Sequence, residues 1–171
     1  VGEHVPDFVL PGDAVRAAVL TAVQPRALGG AAPVRPTVPL DEAALFVNAR
    51  HEPSLASELR KELESADRVD LICAFLFWTG YITVRAALVA FIERGGRLRV
   101  ISTPYRGVTE PRVLADLAAL GAEVRIAYDA QTTRLHAKAW LFHRASGFST
   151  AYVGSSNLSK SALHTGLEWN V

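Results

Sequence analysis

Arg134–Val171 reads RLHAKAWLFHRASGFSTAYVGSSNLSKSALHTGLEWNV, and nearly every residue of the chain equipped for chemistry falls inside it. Its first part, Leu135 to His143, alternates well enough to predict a strand, and a period of two places His136, Lys138, Trp140 and Phe142 on one face. An imidazole and an ammonium then project side by side, with the two aromatic residues as core. Ser149 to Ser155 predicts a second strand. The intervening Arg144-Ala145-Ser146-Gly147 supplies turn residues, so the two strands form a hairpin. A turn centred near Ser146 sets position 136 opposite roughly position 156, alongside Gly154-Ser155-Ser156-Asn157. After a short polar segment, Leu167 to Val171 predicts a third strand. Leu167, Trp169 and Val171 face one way along it, Glu168 and Asn170 the other.

Working outward, the chain upstream reads as a β-α-β-α-β succession. Pro53 followed by Leu55, Leu59 and Leu63 marks an amphipathic helix, with Glu58, Arg60, Lys61, Glu62 and Glu64 as its solvated face. Val69 to Trp78 is almost continuously apolar, as in a strand covered on both sides within a parallel sheet. A helix from about Ile82 to Arg94 closes at Gly95-Gly96, and Arg97 to Thr103 is the next strand. Thr109 caps a helix to Leu120, Gly121 ends it, and Glu123 to Tyr128 is a third strand. Right-handed crossovers and parallel pairing follow. The expected fold class is therefore α/β, a mixed, largely parallel β-sheet covered by helices on both faces. Only Asp129 to Arg134 separates Tyr128 from the strand of His136, so the chain reverses and His136 starts near the carboxyl edge of the sheet, where open α/β sheets bind ligands. Phe77 to Tyr81 and Thr103 to Thr109 rim that cleft, which makes Tyr105 and Arg106 candidates for substrate contact.

The first 40 residues stand apart. Asp13 can cap a helix through about Val23, and Pro25 to Leu40 is a Pro/Gly/Ala-rich linker or strap. The division expected is residues 1–40 and a domain over 41–171, in which Asp41 to Asn48 is a short helix or a strand. A length of 171 residues can bury a real core, and 18 Lys plus Arg against 17 Asp plus Glu leave no global basic field, so any nucleic-acid surface must be local. The single cysteine, Cys73, sits in an apolar run as a buried core residue, and its solitude fits a reducing, cytoplasmic setting. No apolar stretch reaches membrane-spanning length, and no membrane partner is expected. A start without methionine and a stop at Glu168-Trp169-Asn170-Val171, inside a strand, suggest a piece of a longer protein.

The motif resembles that of the phospholipase D superfamily, H-x-K, four residues, D, then G-S-x-N downstream. His136, Lys138, Gly154, Ser155 and Asn157 match it, and Glu168 sits where single-motif nucleases of that superfamily carry a glutamate. His143 stands where the family has aspartate. Seven positions from His136, it falls on the opposite strand face, so the exchange touches support more than chemistry. The runs LHAKAWLFHR, TAYVGSSNLS and GLEWNV, with SADRVDLICAF and GGRLRVIST, look more narrowly like the phospholipase-D-like domain at the N-terminus of some DEAD/DEAH-type helicases. This resemblance spans about Leu45 to Val171.

The resemblance implies a phosphodiesterase in which neutral His136 attacks phosphorus and forms a covalent phosphohistidine. Glu168 accepts a hydrogen bond from one ring nitrogen, Lys138 and Asn157 hold the non-bridging oxygens, and Ser155 orients a partner or the phosphate. One histidine cannot be both nucleophile and proton donor to the leaving oxygen in one step, so a homodimer with a shared site is expected, each copy giving its His136. No metal or other cofactor is required; His4, His51, His143 and His164 show no metal-ligand spacing. Nucleic acid, DNA first, is the expected substrate, with a helicase domain in the same full-length chain and Arg134 and Lys160 placed to touch phosphate. A non-catalytic DNA-binding or dimerisation module is the alternative, and lipid phosphodiester chemistry a less favoured one because no amphipathic membrane segment is evident. Singly, each group has an ordinary reading: an exposed strand pair, a turn, a strand carboxylate. Their convergence on one edge points to catalysis.

Overall fold

The computed structural model describes residues 43–49, 51, 53–129, 131–132 and 134–171. The helix expected after Asp13 and the Pro25–Leu40 strap lie outside these residues. Helix α1, Leu55–Ser65, starts where the Ser54 hydroxyl accepts the Ser57 N–H at 3.3 Å, a side-chain cap for an otherwise orphaned donor. Leu55, Leu59 and Leu63 are buried, as their spacing requires. The charged residues correct the expectation of a solvated face, because Glu58 and Glu62 are 0% and 1% exposed. Glu62 receives the Arg144 guanidinium, the Thr150 hydroxyl at 2.8 Å and the Tyr152 phenol at 3.0 Å. Those partners lie more than 80 residues away, beyond the reach of a helical period.

The remaining elements are β1 (Arg68–Cys73), α2 (Trp78–Glu93), β2 (Arg97–Ser102), α3 (Pro111–Ala119), β3 (Glu123–Ile126), β4 (Lys138–His143), β5 (Thr150–Val153) and α4 (Lys160–His164). Left-handed Gly95 and Gly121 follow α2 and α3, a backbone conformation that glycine alone adopts without cost. The five-stranded sheet has the order β3-β2-β1-β4-β5, parallel across β1, β2 and β3, with β4 antiparallel to β1 and β5 antiparallel to β4. The mixed α/β class is the expected one. Val69 to Trp78 divides, however: the strand stops at Cys73, and Trp78 already opens α2.

One detail of the architecture differs. Val69, Leu71, Cys73, Leu98, Val100, Trp140, Phe142 and Tyr152 form the buried face, while Ile101 and Val153, which alternate with them, are exposed. Among the described residues the helices cover that one face only. The physical reason is chirality: β1 to β2 and β2 to β3 step the same way along the sheet, so two right-handed crossovers lay α2 and α3 on the same side, and α1 and α4 pack against α2. Asp70 lies on the bare face, receiving Arg99 at 2.6 and 2.7 Å and His143 at 3.0 Å. His143 thus sits on the face opposite Lys138, tying β4 to β1.

Leu167 to Val171 is not a regular strand. Val153 and Val171 exchange backbone hydrogen bonds of 2.8 and 2.9 Å, and Asn170 exchanges another pair with Phe46, so the segment continues the sheet by single bridges. The alternation holds: Leu167, Trp169 and Val171 are exposed, and Asn170 is buried.

Candidate active site

The antiparallel pairing of β4 with β1 sets Lys138 opposite Cys73, at the carboxyl edge of the parallel strands. His136 lies just ahead of β4 rather than within it, although the backbone still runs beside β1, with Ala74 N–H donating to Ala137 O at 3.1 Å. The hairpin register pairs Ala139 with Val153 and continues to a bond from Gly154 N–H to Lys138 O at 3.1 Å. Gly154-Ser155-Ser156-Asn157 therefore arrives beside His136 and Lys138, in the expected register.

Lys138 and His136 meet directly. The ammonium lies 2.9 Å from Nδ1 and 3.3 Å from Nε2 of the imidazole, and donates to the His136 carbonyl at 2.7 Å. Lys138 is 7% exposed while His136 is exposed, so the charge is sunk and the ring presented. Desolvation holds the Lys138 pKa below the ordinary lysine value, with Cys73 and Glu168 acting in the opposite sense. The Phe75 ring meets the imidazole edge-on at 5.8 Å. Beneath them Cys73 is buried, as expected, and burial pushes its thiol up to about 11.

Glu168 reaches the site differently from expectation. Its carboxylate accepts from the Ser155 hydroxyl, which in turn receives the Trp169 N–H at 3.0 Å, and among the described residues no hydrogen bond joins it to His136. The imidazole nitrogens are approached by the lysine instead. Asn157 carries a side-chain oxygen that is shut off from solvent and has no hydrogen-bond partner among the described residues, a costly state for a buried acceptor. Lys160 is exposed at the first turn of α4, on a separate cleft shared with Phe77, Thr79, Ser159, Ser161 and Thr165. Tyr105 and Arg106 lie on a 3-10 turn after β2, and Arg134 reaches the same tyrosine.

Sequence reasoning missed how the rim is knit together. The Ser102 and Thr109 hydroxyls both donate to Ala74 O at 3.1 Å, and Glu110 N–H donates to Leu76 O at 2.9 Å. On its other side, Leu158 N–H donates to Phe75 O at 3.2 Å and Leu158 O accepts from Phe77 N–H at 2.9 Å. Phe75 was hidden in an apolar run that read as one strand. The break after Cys73, where alternation gives way to Ala-Phe-Leu-Phe, was the available signal. Among the described residues no group of three or more His, Cys, Asp or Glu side chains could hold a metal ion. The cluster can offer a nucleophile, a positive charge and the hydrogen-bond donors of Lys138 to one anion.

The family described as "Cardiolipin synthase, PLD-like domain" matches residues 59–171. No curated protein matches the chain. Among solved structures, NucT from Helicobacter pylori is similar at a TM-score of 0.58 and 16% identity, over 74% of this chain and 81% of that one. Nuc from Salmonella typhimurium, a phospholipase D family member, gives 0.55 and 21%, over 74% and 80%. The phosphatidylserine synthase of Haemophilus influenzae gives 0.51 and 12%, over 74% and 32%. These neighbours share the fold, and the family match spans most of the sequence including the whole of the motif, so the chain belongs to the phospholipase-D-like superfamily.

Proposed function

We propose that the chain is one half of a metal-independent phosphodiesterase acting on nucleic acid, a nuclease or DNA-processing module of a helicase-containing protein. The observation that carries the reading is the contact of the Lys138 ammonium with the His136 imidazole, at a sheet edge where the Ser155–Asn157 loop also arrives. A phosphodiester repels nucleophiles through its anionic oxygens, so a neutral nucleophile beside a fixed cation answers both difficulties. An imidazole nitrogen of His136 attacks phosphorus, the P–N bond forms and the P–O bond to the leaving group breaks. The leaving oxygen takes a proton from His136 of a second copy. Water then attacks the phosphohistidine, the P–N bond breaks, and the second histidine takes the water proton. Lys138 transfers its hydrogen bonds from the ring to a non-bridging oxygen. Glu168 acts through Ser155 and by its charge on Lys138, which favours the ammonium form.

The second copy is part of the proposal, because one His136 cannot serve both roles. Leu167, Trp169 and Val171 are 84%, 70% and 54% exposed on either side of Glu168, an apolar margin next to the site that supports pairing with an identical chain. Helicase linkage and a DNA substrate rest on the sequence resemblance. Lipid is kept as an arm of the test because the matching family is described by a cardiolipin synthase.

The test is turnover of DNA, RNA, a generic phosphodiester and phosphatidylglycerol vesicles in EDTA, beside a His136→Ala variant. Cleavage of nucleic acid that vanishes in the variant is the expected result. A strict magnesium requirement, or turnover of lipid alone, overturns the proposal. DNA binding without turnover on any substrate supports a binding module instead.

A further inference from the structure

We infer that Arg106 and Arg134, gathered on the ring of Tyr105, form a docking point for a second phosphate of a polynucleotide, beside the phosphate being cut; this rests on the nucleic-acid reading above. The guanidinium carbons of Arg106 and Arg134 lie 5.4 and 5.5 Å from the Tyr105 ring centroid, so two cations from segments far apart in sequence converge on one aromatic group. Like charges gathered in this way repel unless something anionic joins them.

What each arginine lacks is as telling. Arg85, Arg99 and Arg144 spend their donors on Asp116, Asp70 and Glu62, whereas neither Arg106 nor Arg134 makes a hydrogen bond or ion pair among the described residues. Both side chains are exposed, with five N–H donors apiece free for an oxyanion. Tyr105 is half-buried, and its own N–H donates to the Thr103 hydroxyl at 3.2 Å, so the platform is anchored while the cations are not. Arg106 also holds a positive φ of 58°, a left-handed conformation that costs a non-glycine residue. The turn that carries it is closed by Gly107 N–H donating to Pro104 O at 2.9 Å, and it presents the side chain outward.

The location fits a neighbouring phosphate. Arg134 is two residues from His136, a backbone reach of at most about 7 Å. Successive charges of one strand repeat at about 3.4 Å along a duplex axis and farther apart in an extended strand, so a neighbouring phosphate falls within that reach. A chain near charge balance, with 18 basic and 17 acidic residues, must gather its nucleic-acid affinity locally, and this is such a place. Tyr105 is a positioning residue: it orients the guanidinium groups through its ring.

The experiment is fluorescence anisotropy of a labelled single-stranded oligonucleotide against protein carrying His136→Ala, which binds without cutting, over a range of salt. Adding Arg106→Ala or Arg134→Ala should weaken binding, and the pair together should lower the slope of log affinity against log salt by about 0.7 for each phosphate no longer neutralised. Tyr105→Ala should reproduce the weakening and Tyr105→Phe, which keeps the ring, should restore binding. In protein with His136 intact, the fall in kcat/KM should be far larger on an oligonucleotide than on bis(p-nitrophenyl) phosphate. Unchanged salt slopes in both arginine variants, or equal falls on the two substrates, overturn the inference. A wild type that cuts nothing sinks the catalytic reading alone, since the salt slopes still decide this one; a wild type that binds no oligonucleotide sinks both.

Discussion

A methyl group on Gly154 would overlap the Trp169 carbonyl oxygen and crowd Asn170, because the last residues of the chain pass directly over this position. Gly154→Ala should therefore cost on the order of 1 to 3 kcal/mol, read as a lower urea midpoint, with Glu168 displaced along with its backbone. Lys138 carries a different tension. Its charge sits in a desolvated place, so the folded pKa is depressed and the unfolded chain binds more protons between the folded and the ordinary values. Stability on this account rises with pH through that window, up to the ordinary value of 10.5. Replacing the lysine with an apolar group of similar length removes the burden. Lys138→Met should raise the melting temperature at neutral pH while abolishing turnover, and its advantage should shrink as the pH climbs through the depressed pKa. A melting temperature unchanged at neutral pH would show that the ammonium is well solvated.

Between elements, a buried polar link runs from α1 to the β4–β5 hairpin. Glu62 has no exposed surface to speak of, and Arg144, Thr150 and Tyr152 all converge on it. Removing it takes the carboxylate from the Arg144 guanidinium, which keeps Ser65, Thr150 and Phe148 O, and leaves the Tyr152 phenol without its acceptor, so Glu62→Ala should cost about 1 to 3 kcal/mol in urea unfolding, more than an exposed glutamate. That asymmetry marks where a local pattern stops being informative. Leucines at intervals of four placed α1 correctly, and the period of two set the face of Lys138, Trp140 and Phe142, because these are properties of neighbouring residues. Gly95 and Gly121 ended their helices for an equally local reason. Glu58 and Glu62 could not be told from surface carboxylates, since their partners come from distant segments. The same holds at the site: the side-by-side placement of imidazole and ammonium was legible, whereas the burial of Lys138 and the turn of Glu168 toward Ser155 depend on how the final residues fold back. The one-sided helix layer follows from crossover handedness together with the strand order β3-β2-β1, and that order is not contained in the alternation of elements.

At the scale of the whole molecule, the exposed Leu167, Trp169 and Val171 make a concrete test of pairing. On the proposed pairing, Trp169→Asp should shift sedimentation velocity from dimer to monomer and lower turnover per chain with it, because that pairing brings the second imidazole to the site. A monomeric wild type with full activity would require a single-copy mechanism. The rim loop at 74–77 has a broader consequence. It is stitched to Ser102, Thr109 and Glu110 on one flank and to Leu158 on the other, so this loop cannot loosen without breaking its bonds to both. Melting followed by far-ultraviolet dichroism, by tryptophan emission and by residual turnover should then trace one superimposable curve. In such a molecule heat offers no half-broken state: the capacity to work and the existence of the fold end at the same temperature.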